Sequence, residues 1–155
     1  MSIALSTAGM KVKYATESVA GTRPSSGYAT LPDVKQIPEF GGDPNALQTT
    51  DLSRTDFHTY IAGLRDPGGA IGLTVNDTAA FRTAWADLIS DYNTGKGSGL
   101  STWIEFAYGD SSLDSFFFEA EPVALGFGGA DVDSVLENTA YLMPNGKVLF
   151  ATAST

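Results

Sequence analysis

His58 is the chain's one histidine and cysteine is absent, so a multi-histidine metal site, a thiolate site, a disulfide and a cysteine nucleophile are all excluded. A Ser-His-Asp arrangement would rest on His58 alone, in a Thr-rich stretch that marks no partner on either side of the imidazole. His58 reads instead as a polar residue on an exposed hairpin. Glu119 and Glu121 stand at i, i+2, and Glu105 on the preceding expected strand can approach them, the raw material of a two-carboxylate site. Nothing sets these three apart from the other acidic side chains, and a solvated sheet face is the plainer reading. The glycines of GKGSG (Gly95, Gly97, Gly99) follow a helical pattern rather than open one, and GFGG at Gly126 to Gly129 also lacks the strand-then-helix context of a phosphate loop. Asp110, Asp114, Asp131 and Asp133 lack calcium-loop spacing. The reading is of a non-enzyme with no catalytic residues, no cofactor and no metal.

The elements that position these side chains are mostly strands. Met10, Val12 and Tyr14 alternate with Lys11 and Lys13 over Gly9 to Thr16, and Ile71, Leu73 and Val75 alternate over Ala70 to Asn76. Pro32 and Pro38 bracket a short strand centred on Val34 and Ile37, after a loop from Glu17 to Ala29. Between GGDPN (Gly41 to Asn45) and DPGG (Asp66 to Gly69) lies a Thr-rich, extended arm. Phe81, Ala84, Trp85, Leu88, Ile89 and Tyr92 form one apolar stripe, which predicts a helix over Thr78 to Asn93. Asp77 or Thr78 is its N-cap and Gly95 its left-handed C-terminal position. Its core residues are expected to be Phe81, Trp85, Leu88 and Ile89. Thr102 to Tyr108, a turn at GDSS and Asp114 to Leu125 make a hairpin, and Val132 to Met143 a last strand ended by Pro144 to Gly146. Phe116, Phe117 and Phe118 put aromatics on both faces of one strand, so both faces need covering, by the helix or by another subunit. The fold class is mostly β (α+β): an antiparallel β-sandwich or barrel of about seven strands with one amphipathic α-helix packed against it, in a single domain, 1–155.

Nine basic against eighteen acidic residues give a formal charge of −9, which disfavours sustained contact with phosphates. No apolar run approaches the ~18 residues of a membrane-spanning helix, so no membrane insertion is expected. The N-terminus does not read as a signal peptide, and cytoplasmic synthesis is expected.

Taken in order, VKQIPEFGGDPNALQTTDLSRTDFHTYIAGLRDPGGAIGLTVN (Val34 to Asn76), the helix TAAFRTAWADLISDYN and the hairpin TWIEFAYGDSSLDSFFFEAEP resemble the major tail tube proteins of long-tailed, non-contractile bacteriophages. The phrase IPEFGGDPNALQTTDL carries most of that resemblance. It implies a structural virion protein of the viral tail that self-assembles into stacked hexameric rings, the conduit for DNA delivery. The implied partners are further copies of the chain, a tape measure protein, a tail terminator and distal tail or baseplate proteins, with DNA passing through unbound. No appended immunoglobulin-like domain is expected. The implied inter-ring arm carries Gly41, Gly42, Asp43, Pro44, Asp51, Phe57, Tyr60 and Ile61, and the candidate lumen acids are Glu105, Glu119 and Glu121. Two alternatives stand beside it: the tube of a contractile injection or secretion device, and a carbohydrate-binding β-sandwich with Trp103, Tyr108 and Tyr141 as stacking platforms. With no metal required, thermal melts with and without EDTA are expected to coincide, and a large drop in melting temperature on chelation would contradict the reading.

Overall fold

The computed structural model describes residues 4–41, 44–65 and 69–155. In chain order the elements are β1 (Lys11–Thr16), β2 (Ala29–Leu31), β3 (Val34–Gln36), β4 (Pro44–Gln48), β5 (Tyr60–Arg65), β6 (Ile71–Asn76), α1 (Ala79–Gly97), β7 (Thr102–Ala107), β8 (Ser115–Pro122) and β9 (Glu137–Ala151). They divide into two compact units, one ending at Pro38 and resuming over Ala70–Thr155, the other Glu39–Gly69.

The larger unit is a seven-stranded antiparallel half-barrel sheet in the order β2-β1-β7-β8-β9-β6-β3, with one helix. The expected class is therefore present. Alternation does what it dictates: Ile71, Leu73 and Val75 of β6 are buried while the residues between them are half-buried. Register brings Val12, Leu31, Ile104, Phe118, Ala140 and Leu142 to the same face, where α1 packs and delivers Phe81, Trp85 and Leu88 to the core. Ile89, expected among them, is only half-buried, because it lies at the margin of the stripe. Trp85 stacks on Phe81 with centroids 5.7 Å apart, and its indole Nε1 donates to the Val123 carbonyl at 2.9 Å.

The helix begins as expected, with Thr78 Oγ1 accepting from the Phe81 N–H at 3.2 Å. Its end differs. The helix runs on to Gly97, and the left-handed position is Gly99 (φ 73°), with the Leu100 N–H reaching back to the Gly95 carbonyl at 2.8 Å. Gly95 is instead buried inside the helix, where a Cβ would lie 2.6 Å from Thr16 Cγ2. Close packing, not backbone conformation, is what demands glycine there.

The last strand also departs from expectation. Pro144 to Gly146 does not end it: Ala120 faces Pro144 while Phe118 faces Val148, so the segment between bulges out of β9 and the strand continues to Ala151. Proline is tolerated because it sits at the bulge. Trp85→Ala is expected to cost about 3–5 kcal/mol of unfolding free energy. Urea denaturation measures it, and a loss under about 0.5 kcal/mol, the scale of an ordinary surface substitution, would show that the stripe is not core.

Candidate assembly site

The smaller unit is a two-stranded antiparallel sheet, β4 with β5, in register Ala46 to Ala62, Leu47 to Ile61 and Gln48 to Tyr60. The Thr-rich arm is thus a hairpin. Of the expected arm residues, Gly42 and Asp43 lie outside the described residues, as do Asp66 to Gly68 of the DPGG turn. Gly41 takes φ 129°, a conformation glycine favours, and Pro44 opens β4. Polar side chains organise the hairpin's far end: the Thr49 N–H donates to the Thr59 carbonyl at 2.8 Å and the Thr59 N–H to Thr50 Oγ1 at 2.8 Å. Asp51 accepts from the Ser53 N–H and hydroxyl, and these bonds hold its carboxyl below the usual carboxylate range. His58 Nδ1 lies 2.9 Å from Gln48 Nε2, and the residue is exposed, a polar group on a hairpin.

What the hairpin does not organise is its apolar side chains. Phe57 is 85% exposed and Tyr60 and Ile61 are each 57% exposed, with Leu52 and Leu64 exposed as well. Neighbours in a strand point to opposite faces, so Tyr60 and Ile61 put apolar surface on both sides of the hairpin. The three residues expected from the sequence are therefore all exposed, Tyr60 and Ile61 on β5 and Phe57 just before it.

The three candidate acids fall on one sheet face, as expected, since Trp103 faces Glu119 and Glu105 faces Phe117. They do not share an environment. Glu105 is fully buried, accepting from the Ser154 N–H at 3.2 Å and the Ser154 hydroxyl at 2.5 Å, so it does not face a channel. The reason is a cover that the sequence reading treated as loop. Arg23 from the β1–β2 connection lies over the Phe117 ring at 4.1 Å, Tyr28 meets the same ring edge-on at 5.9 Å, and residues 152–155 follow β9 back over the face. Burial pushes the Tyr28 phenol up to about 12, against the opposing pull of Arg23. Phe117 is thus covered from within the chain, and the aromatic run needs no second subunit. Trp103 is buried too, its Nε1 donating to Glu17 Oε1 at 2.8 Å, which removes it as a stacking platform. Tyr108 is half-buried and Tyr141 exposed.

Glu121 is exposed, whereas Glu119 is half-buried beside a groove of about 210 Å³ lined also by Tyr92, Lys96, Ser101 and Asn145. Burial, and then the Glu17 carboxylate, raises the Glu119 pKa. Among the described residues no group of three or more acids or histidines is placed to hold a metal ion, and no helix is long and apolar enough to cross a membrane. Glu17, Arg23, Tyr28 and Ser154 are the residues sequence reasoning missed, for they lie in turn-rich segments without periodicity.

No family model and no curated protein matches the chain. Solved structures do. A chain of the six-fold symmetrised cryo-EM structure of the anti-feeding prophage baseplate has TM-score 0.67 at 12% identity, covering 100% of both chains. A chain of the anti-feeding prophage tube-terminating cap has TM-score 0.60 at 15% identity, covering 99% of this chain and 94% of that one. At these identities the likeness is one of fold.

A raised folded-state pKa means that Glu119 is best accommodated protonated. Its contribution to stability is complete below the unfolded value of about 4.3 and is lost as pH rises through the folded value. Glu119→Gln is therefore expected to melt higher than wild type at pH 8, with the difference vanishing at about pH 4. Equal melting temperatures at both pH values would show that the carboxylate is not destabilised.

Proposed function

We propose that the protein is a structural, non-enzymatic subunit of a phage tail or tail-like injection device, and that it builds the tube from stacked six-membered rings. The observation that carries this is the end-to-end fold likeness to chains of the six-fold symmetrised baseplate and of the tube-terminating cap. The hairpin adds to it, because a two-stranded sheet is marginal in water by itself and this one leaves Phe57, Tyr60 and Ile61 exposed. In this reading the hairpin's apolar side chains dock on a copy in the next ring, with the aromatics as the main contributors to contact. Tape measure, terminator and baseplate proteins are its further partners, and the virion tail is its location.

The charge fits a conduit. Six copies at −9 sum to about −54 per ring, and inward-facing acids repel DNA phosphates and keep them sliding. Of the three candidate acids Glu121 is the exposed one and Glu119 half-exposed, while Glu105 is withdrawn from this role by burial. The contractile-device alternative has an observation of its own, since both structural neighbours belong to the anti-feeding prophage. A gene for a sheath protein beside this one would select it over a non-contractile tail.

Negative-stain microscopy of the concentrated protein is expected to show rings or tubes. Phe57→Ser with Tyr60→Ser is expected to leave the subunit folded and soluble, with an unchanged circular dichroism spectrum, and to abolish tubes. Ordinary tubes from that variant would remove the hairpin from the interface.

A further inference from the structure

Glu105 raises a question that the tube reading leaves unused: why a carboxylate is buried in the middle of the sheet. Its strand neighbours are Lys13 on β1 and Phe117 on β8, and its two oxygens accept from the Ser154 N–H and hydroxyl. Above it lie the β1–β2 connection and residues 152–155, tied to each other where the Thr155 N–H donates to the Ser25 carbonyl at 3.2 Å.

This cover is attached by points rather than by a sheet ladder. One point is Glu17, whose carboxylate accepts from the Gly21 and Ser101 N–H groups at 3.1 Å each and from Trp103. The others are the Arg23 and Tyr28 contacts with Phe117 and the Ser154 clasp on Glu105. Many of the covering residues are turn formers, among them Gly21, Pro24, Ser25, Ser26 and Gly27, and Val19 points to solvent at 63% exposure. An apolar residue in place of Glu105 would seal the cover by packing. A buried carboxylate held by one serine does the opposite, because desolvating it opposes closure.

We propose that the β1–β2 connection and residues 152–155 form a displaceable cover, clasped by Glu105, which restrains the free subunit from associating and lifts to expose the Trp103–Phe117 face to a second copy. This rests on the tube reading and adds its regulation: the subunit is stored closed and polymerises open.

Two variants push the cover in opposite directions. Ser154→Ala removes the clasp's hydroxyl, and exchange of backbone amides in 17–28 and 101–107, followed by mass spectrometry on the free subunit, is expected to quicken about tenfold, the factor matching one lost hydrogen bond to a charged group. Tube growth, followed by light scattering, is expected to quicken with it, which a merely structural clasp would not do. Ser25→Cys with Thr155→Cys, clean because the chain has no other cysteine, is expected under oxidation to stop growth until reductant is added. Unchanged exchange in Ser154→Ala, or tubes growing at the wild-type rate from the oxidised pair, would overturn the cover. A wild type that forms no tubes under any condition would instead sink the tube reading.

Discussion

The structure turns on one strand that is buried on both faces. All six residues of β7 are buried, so the sheet around it cannot be a surface sheet with one wet side. Each polar group on that strand must then be answered from elsewhere. Thr102 Oγ1 meets Thr16 Oγ1 of β1 at 3.1 Å, the Trp103 indole meets Glu17, and Glu105 meets Ser154. An unanswered polar group would cost about 1–3 kcal/mol, so these bonds fix where β1, the β1–β2 connection and the last residues lie. The helix takes the other face because its stripe is the remaining large apolar surface of the unit.

Covering both faces from within has a consequence for how copies can meet. The sheet ends in β2 and β3, each of three residues, and short edge strands offer few free backbone groups to a neighbour. Apolar surface is left mainly on the hairpin and on the β8–β9 connection, where Phe127, Val132 and Val135 are exposed. Association through exposed side chains is thus better provided for than association edge to edge.

Much of this was legible in the sequence where one period dominates. Alternation at Met10 to Tyr14 and at Ile71 to Val75 gave β1 and β6, and the spacing of Phe81, Trp85 and Leu88 gave α1 and its Thr78 cap. Legibility failed where tertiary context overrode a local signal. Gly95 looks like a helix terminator because packing against Thr16 is invisible from the chain, and Pro144 to Gly146 looks like a strand end because a bulge depends on the partner strand. Glu105 looks like a surface acid for the same reason: alternation assigns a face, and only the fold says that a loop of Gly, Ser and Pro lies across it. The hairpin's exposed anchors were readable as residues, while the pairing of Leu47 with Ile61 was not.

Charge and apolar contact act against each other in any assembly of this chain. Copies at −9 repel, and at physiological salt that repulsion is screened only beyond about 8 Å, so surfaces in contact feel it. Among the described residues the ion pairs are Lys35 with Glu137 and Arg82 with Asp77, both inside one subunit, and with nine basic against eighteen acidic residues the cations cannot offset the acids across a junction. Any contact between copies would therefore have to draw on desolvated aromatic and aliphatic groups. Phe57, Tyr60, Ile61 and Leu64, exposed along β5 and the residues before it, are groups of that kind, and they share the hairpin with Asp51 and Asp56. If copies of so acidic a chain associate, exposed apolar side chains such as those of the hairpin, itself a compact unit, are the groups able to outweigh the repulsion.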